Sequence, residues 1–140
     1  MMNQYDEYQK YLNYKHGSHS FNILMLSILI NSSLATFDIQ WAETRELEYA
    51  LLVFPALYYC LLMNIYKGSY YKKNNLSILN SFFLGLWGVI FSLWIIFMGP
   101  DILSSSGQVT SGVVPLLLGL MWVCGASVHA IASLIENKKD

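Results

Sequence analysis

Two long stretches of this sequence contain no charged residue, and they restrict the possible folds more than any other feature. The segments 76–98 and 113–135 are almost entirely apolar. A helix rises about 1.5 Å per residue, so each segment would reach about 34 Å, enough to cross a bilayer core of about 30 Å with some tilt. The sequence therefore predicts membrane-spanning helices.

Composition supports the same interpretation. Hydrophobic residues make up 55% of the chain and charged residues 12%, whereas soluble domains carry roughly 25% charged residues. Two further segments have spanning length, 20–40 and 48–66, and the second contains the apolar run 50–63. We predict an all-α integral membrane four-helix bundle with this organisation: N-terminal segment 1–19, spans 20–40, 48–66, 76–98 and 113–135, and C-terminal tail 136–140.

The basic residues predict the orientation of these spans. Arg45 stands alone between the first two spans, and the loop 99–112 has no basic residue. The other seven lie before span one, between spans two and three, or after span four: Lys10, Lys15, Lys67, Lys72, Lys73, Lys138 and Lys139. Short loops rich in Lys and Arg stay on the cytoplasmic side. We therefore predict a plasma-membrane protein with both termini in the cytoplasm.

The N-terminal segment has two possible interpretations. Tyr5, Tyr8 and Leu12 fall within one sector of about 60° on a helix, which favours a short interfacial helix over residues 3–14, lying on the inner leaflet. Alternatively, Ser33-Leu34-Ala35 after an apolar stretch resembles a signal-peptidase site. The second interpretation is disfavoured because the first twenty residues have no net positive charge.

Small residues form a continuous stripe on each of the last two spans. In span three they are Ser81, Gly85, Gly88 and Ser92, and in span four they are Gly119, Ala126, Ala130 and Ser133. Helices in lipid associate by close backbone approach at such residues. The 14-residue loop 99–112 makes the two spans antiparallel neighbours, so we expect the stripes to face each other. The alternative is that small residues are simply common in membrane helices.

Polar residues within the spans are the candidates for function. Span one carries a stripe of Ser20, Ser27, Asn31 and Asp38, which we expect to face the bundle interior or another subunit. Interhelical hydrogen bonding is the simpler explanation, and a substrate site is the alternative. Asp38 and Glu48 are expected at the outer end within reach of water. His129 is the one ionisable side chain at hydrocarbon depth, which makes it a functional candidate.

Known catalytic and metal-binding patterns are missing from the sequence. Cys60 and Cys124 lie in apolar runs at similar predicted depth and lack zinc-site spacing, and His16 and His19 have no further ligands beside them. There is no nucleophile elbow, HExxH helix or phosphate loop. We expect no enzymatic activity, no cofactor and no metal, and the net charge of −1 argues against nucleic acid as a partner.

Two stretches carry a resemblance to a known group of proteins. The first is Asp6-Glu7-Tyr8-Gln9, Tyr14-Lys15, Gly17 and Phe21, and the second is Glu48, Leu51 to Pro55, Tyr58 and Lys67 to Tyr70. Together they resemble an uncharacterised family of small four-span membrane proteins of Gram-positive bacteria. The resemblance covers roughly the first half of the chain and implies topology and a bacterial plasma membrane, without an assigned activity.

Three functions are compatible with these features. The favoured hypothesis is a non-enzymatic accessory protein that forms a homo-oligomer or binds a larger membrane protein. The second is a small transporter or channel subunit, with Asn31, Asp38 and His129 lining a polar path between subunits. The third is an immunity protein against a peptide toxin.

Overall fold

The computed structural model describes residues 7–67 and 78–136. They form four helices, α1 (Glu7–Thr36), α2 (Arg45–Tyr66), α3 (Ile78–Met98) and α4 (Val113–Glu136). These two ranges contain no β-strand, only two isolated bridges, from Val109 to Ala42 in another loop and from Val109 to Leu103 in its own loop. The predicted all-helical fold is therefore confirmed. The predicted start of span three at Leu76, tail residues 137–140, residues 3–6 and the lysines at 72, 73, 138 and 139 lie outside the described residues.

Three of the helices are long and apolar enough to cross a membrane. The qualifying segments are Arg45–Tyr66, Asn80–Met98 and Val113–Ile135. These helices support the prediction of a membrane protein. Helix α1 does not qualify among the described segments, since it ends at Thr36 and its second half includes the polar residues Asn22 and Asn31.

The N-terminal segment is not a separate helix, in contrast to the sequence prediction. Helix α1 runs without interruption for 30 residues, so residues 7–19 are its first half. The one helix-weakening residue at the expected boundary is Gly17, which lowers helix stability by only about 1 kcal/mol relative to Ala. Without a proline to end the helix, the chain continues straight into the apolar segment.

The first span ends earlier than predicted. Helix α1 stops at Thr36 instead of Gln40, and the chain turns through hydrogen bonds from Phe37 N to Leu34 O and from Asp38 N to Ala35 O. Asp38 has a φ of 55°, a left-handed conformation that aspartate tolerates better than most residues. Asp38 is thus an exposed turn residue and does not continue the polar stripe of α1.

The second helix begins three residues before the predicted start of its span. Thr44 is the N-cap, and its hydroxyl accepts a hydrogen bond from Leu47 N at 3.2 Å. A threonine in this position satisfies one of the backbone N–H groups left unpaired at a helix start. The cap places Arg45 in the first turn, one turn before Glu48.

The helices pack in the order α1, α2, α4, α3. Neighbouring pairs in this order are in contact. Between residues 7–67 and 78–136, no Cα atom of α1 lies within 8 Å of one in α3 or α4, and none of α2 lies within 8 Å of one in α3. The arrangement is therefore an open row, with α1 and α3 at its edges. Helix α2 is antiparallel to α1, and α3 is antiparallel to α4.

Candidate functional site

Among the residues that the structure describes, the most buried ionisable group is the Glu48 side chain, which is 0% exposed. Its Oε1 accepts hydrogen bonds from Trp41 N at 2.8 Å and from Ala42 N at 3.5 Å. Its Oε2 pairs with Arg45 Nη1 at 3.1 Å and accepts from Asn31 Nδ2 at 3.4 Å. This carboxylate therefore links α1, α2 and the loop between them. The expectation that water reaches Glu48 is wrong, because the loop folds over it.

Asn31 completes this network from α1. Its side chain is 2% exposed, and its Oδ1 accepts a hydrogen bond from Trp41 Nε1 at 2.7 Å. Arg45 Nη1 also donates to Ile39 O at 2.9 Å, so the guanidinium holds the loop as well as the carboxylate. We call Asn31, Trp41, Arg45 and Glu48 the Glu48 cluster. All of its polar contacts stabilise the helix–loop–helix junction.

Loops 37–44 and 99–112 form a hydrogen-bonded layer over this end of the row, here named the cap. Val109 joins the two loops twice, by accepting from Glu43 N at 2.9 Å and donating to Trp41 O at 3.0 Å. The side chain of Gln108 adds a bond from Nε2 to Gln40 O at 3.3 Å. Because loop 99–112 connects α3 to α4, the cap ties the two helical hairpins together.

A second buried polar pair lies near the opposite end of α1 and α2. His16 is 3% exposed, and its Nδ1 is 2.6 Å from Asn64 Oδ1. The ring of Tyr59 meets the His16 ring edge-to-face, with centroids 6.5 Å apart. Asn64 Nδ2 also donates to Cys60 Sγ at 3.5 Å. His16 is therefore part of the α1–α2 contact, not half of an isolated histidine pair.

We expect His16→Phe to destabilise the protein by about 1–3 kcal/mol, since the buried amide of Asn64 would lose its imidazole partner. The exposed His19 also contacts Tyr59, with centroids 6.2 Å apart, so His19→Phe is the matched control and should change stability little. Thermal unfolding in detergent, followed by circular dichroism, measures both variants. Equal effects of the two substitutions would contradict a specific role of the His16–Asn64 bond.

The third polar contact joins α3 and α4. Ser81 Oγ lies 2.6 Å from His129 Nδ1, at the end of the row opposite the cap. Beside this pair is a cleft of about 210 Å³ whose floor is α4 and whose sides are Leu61 and Ile65 of α2 and Leu84 of α3. The cleft exists because α2 and α3 both contact α4 but not each other within the described ranges.

The small-residue stripes of α3 and α4 lie against each other. A Cβ at Gly85 would be 3.0 Å from Ala126 Cβ, and a Cβ at Gly88 would be 3.0 Å from Gly119 O. A Cβ at Gly119 would be 2.5 Å from Ser92 Oγ. These distances leave no room for larger side chains in the middle of the hairpin. Ala130 and Ser133, further along α4, are half-buried.

The three polar candidates from the sequence do not meet within one chain. Asn31 belongs to the Glu48 cluster at the cap end, and Asp38 is exposed in the turn after α1. His129 lies on α4 towards the opposite end and contacts Ser81. Ser20, also from the predicted stripe, donates to Ala56 O of α2. Ser20 and Asn31 of the predicted stripe thus contact α2, whereas Asp38 does not.

Two features of this arrangement were missed in the sequence. The pairing of His16 with Asn64 joins residues 48 positions apart, and no local pattern indicates such a contact. Burial of Glu48 had a weak signal, because Trp41, Arg45 and Asn31 provide the donors that a buried carboxylate requires. The cysteines remain free thiols, half-buried on α2 and α4.

Each of these polar contacts joins helices or loops of the same chain. Over residues 7–67 and 78–136, no group of three or more His, Cys, Asp or Glu side chains is placed to hold a metal ion. Of the described polar side chains that are buried, every nitrogen and oxygen has a hydrogen-bond partner. No family model, curated protein or solved structure matches this chain.

Proposed function

We propose that this protein is a non-enzymatic accessory protein of the plasma membrane that acts by binding other membrane proteins, including its own copies. The observation that supports this most directly is the open row of helices. A row has two edge helices, α1 and α3, whose outer faces contact no other described helix. A closed bundle would offer less helix surface to a partner.

The polar contacts support the same proposal. The Glu48 cluster, the His16–Asn64 pair and the Ser81–His129 pair each join neighbouring elements of one chain. Buried polar groups used in this way stabilise and specify a fold. The same contacts argue against a polar path within one chain, because Asn31 and His129 lie on helices that are not in contact.

The topology proposed here has four crossings. Helix α1 accompanies α2 from the Asn31–Glu48 contact to the His16–Asn64 contact, which covers the whole apolar run 50–63. If α2 crosses the bilayer, α1 crosses with it. Of the described basic residues only Arg45 lies at the cap end, whereas Lys10, Lys15 and Lys67 lie towards the opposite end, so we place the cap outside the cell and both termini inside. The resemblance to the Gram-positive family supports a bacterial plasma membrane.

Affinity purification in mild detergent, followed by mass spectrometry, tests this function. We expect a membrane protein to be enriched reproducibly over an unrelated multi-pass protein carrying the same tag at equal abundance. Trp87→Ala and Trp94→Ala on the outer face of α3, where both side chains are exposed, should distinguish a partner that binds this edge from one that binds α1.

A flux assay provides the contradicting result. The purified protein would be reconstituted in vesicles and exposed to a panel of ions and small solutes. Solute movement that His129→Leu abolishes would overturn the accessory function in favour of transport. Absence of enrichment over the unrelated control would also contradict the proposal.

A further inference from the structure

Asn22 lies on the outer face of α1, and in the proposed topology its amide is at the middle of the membrane. Two contacts fix its depth, since Ser20 donates to Ala56 O, and Asn31 meets Glu48 two to three helical turns further towards the cap. Asn22 therefore lies beside the middle of the apolar run 50–63 of α2. Its side chain is exposed, so on the protein alone this amide would face hydrocarbon.

Two other asparagine amides of the α1–α2 hairpin have hydrogen-bond partners, unlike Asn22. Asn31 and Asn64 are buried against a neighbouring helix and bonded. The amide of Asn22 makes no hydrogen bond to any residue in 7–67 or 78–136. Because hydrocarbon offers no donor or acceptor, an amide in contact with lipid is costly, and intramembrane polar residues mark contacts with other groups.

The residues around Asn22 form a seam suited to a second helix. Along the exposed side of α1 they recur at intervals of four, three and four positions: Ser18, Asn22, Met25 and Leu29. This spacing is the heptad pattern of paired helices, in which a polar residue such as asparagine sets the alignment of the two partners. In this seam Ser18 and Asn22 precede the apolar Met25 and Leu29. Helix α1 is an edge of the row, so nothing among the described helices covers this seam.

We propose that the seam is the interface of a parallel homodimer in which the Asn22 amides of two copies bond to each other. All copies insert in the same orientation, so a two-fold axis relating them runs along the membrane normal. Such an axis brings each residue of α1 to its own counterpart at the same depth. An amide is both donor and acceptor, hence a second copy necessarily supplies what Asn22 lacks. This inference rests on the proposed membrane function.

Cysteine cross-linking in native membranes tests the interface. In a background of Cys60→Ser and Cys124→Ala, Ser18→Cys and Met25→Cys should form disulfide-linked dimers on mild oxidation. The controls are Ile30→Cys, exposed on another side of α1, and Phe83→Cys on α3, which should remain monomeric. Cross-linking through Phe83→Cys but not Met25→Cys, or cross-linking of Met25→Cys to a different protein, would overturn the proposal.

The role of the amide is tested in the wild-type background by subunit counting in vesicles. Asn22→Leu should weaken dimerisation about tenfold, the size expected for an interhelical hydrogen bond in a membrane, whereas Asn22→Gln should preserve most of it. Unchanged dimerisation of Asn22→Leu, or a monomeric wild type, would contradict this role. If the wild-type protein is a monomer but still enriches a membrane partner, the dimer proposal is wrong and the accessory function stands.

Discussion

Replacing Glu48 with alanine is expected to lower the free energy of unfolding by about 3 kcal/mol. The substitution removes the acceptor of Trp41 N and the charge partner of Arg45 at a position with no exposure. Breaking a buried ion pair from one side costs about 3–5 kcal/mol, since the remaining groups stay desolvated and unpaired. We expect the lower part of this range because the Arg45 side chain is 34% exposed and water can compensate it partly.

A loss of this size should lower the thermal midpoint by about 10 °C, measured by circular dichroism in one detergent. Glu46→Ala is the matched control, because Glu46 is an acid of the same helical turn but is exposed, and its removal should change the midpoint little. Glu48→Gln should fall between the two, as it keeps an oxygen for Trp41 N and loses the charge facing Arg45. Equal midpoints for Glu48→Ala and Glu46→Ala would contradict the role of the Glu48 cluster.

The parts of the fold that could be predicted from sequence are the apolar helices, because lipid as the surrounding solvent requires them. Runs of apolar residues without charge have few options other than helices in lipid, and segments 76–98 and 113–135 correspond closely to α3 and α4. Segment ends do not follow from hydropathy, because α1 ends at Thr36 through a local turn that hydropathy does not register. The continuity of α1 was missed for a similar reason, since a change from polar to apolar residues need not interrupt a helix.

The packing order and the buried polar contacts depend on distant residues and could not be predicted in the same way. Hydropathy treats the two faces of a helix alike, so it does not indicate that α4 lies between α2 and α3. The burial of Glu48 follows from the folding of loop 37–44 over the start of α2, where Trp41 and Ala42 point their backbone N–H groups at the carboxylate. Sequence patterns locate the acid at a helix start but not the loop that covers it.

The second large effect is expected from Gly88→Leu in the α3–α4 hairpin. A Cβ at this position would be 3.0 Å from Gly119 O and from Val123 Cγ2, and 3.1 Å from Trp122 Cβ. The nearest oxygen belongs to the backbone of α4 and cannot rotate away, so the three further carbons of leucine must push the helices apart. Overpacking of this kind costs about 1–3 kcal/mol and sometimes more, and it would also strain the neighbouring Ser92–Gly119 contact.

Gly17→Leu is the matched control, because a Cβ at Gly17 would meet nothing within 4 Å. Leucine is the better helix former by somewhat less than about 1 kcal/mol, so this variant should be as stable as the wild type or slightly more stable. Hydrogen exchange read by mass spectrometry then locates the damage. Since α3 is an edge helix that contacts only α4 among the described helices, Gly88→Leu should accelerate exchange in α3 and the facing side of α4 while α1 and α2 keep their protection. Uniform acceleration along the chain, or none, would contradict the close backbone approach as the specific basis of this hairpin.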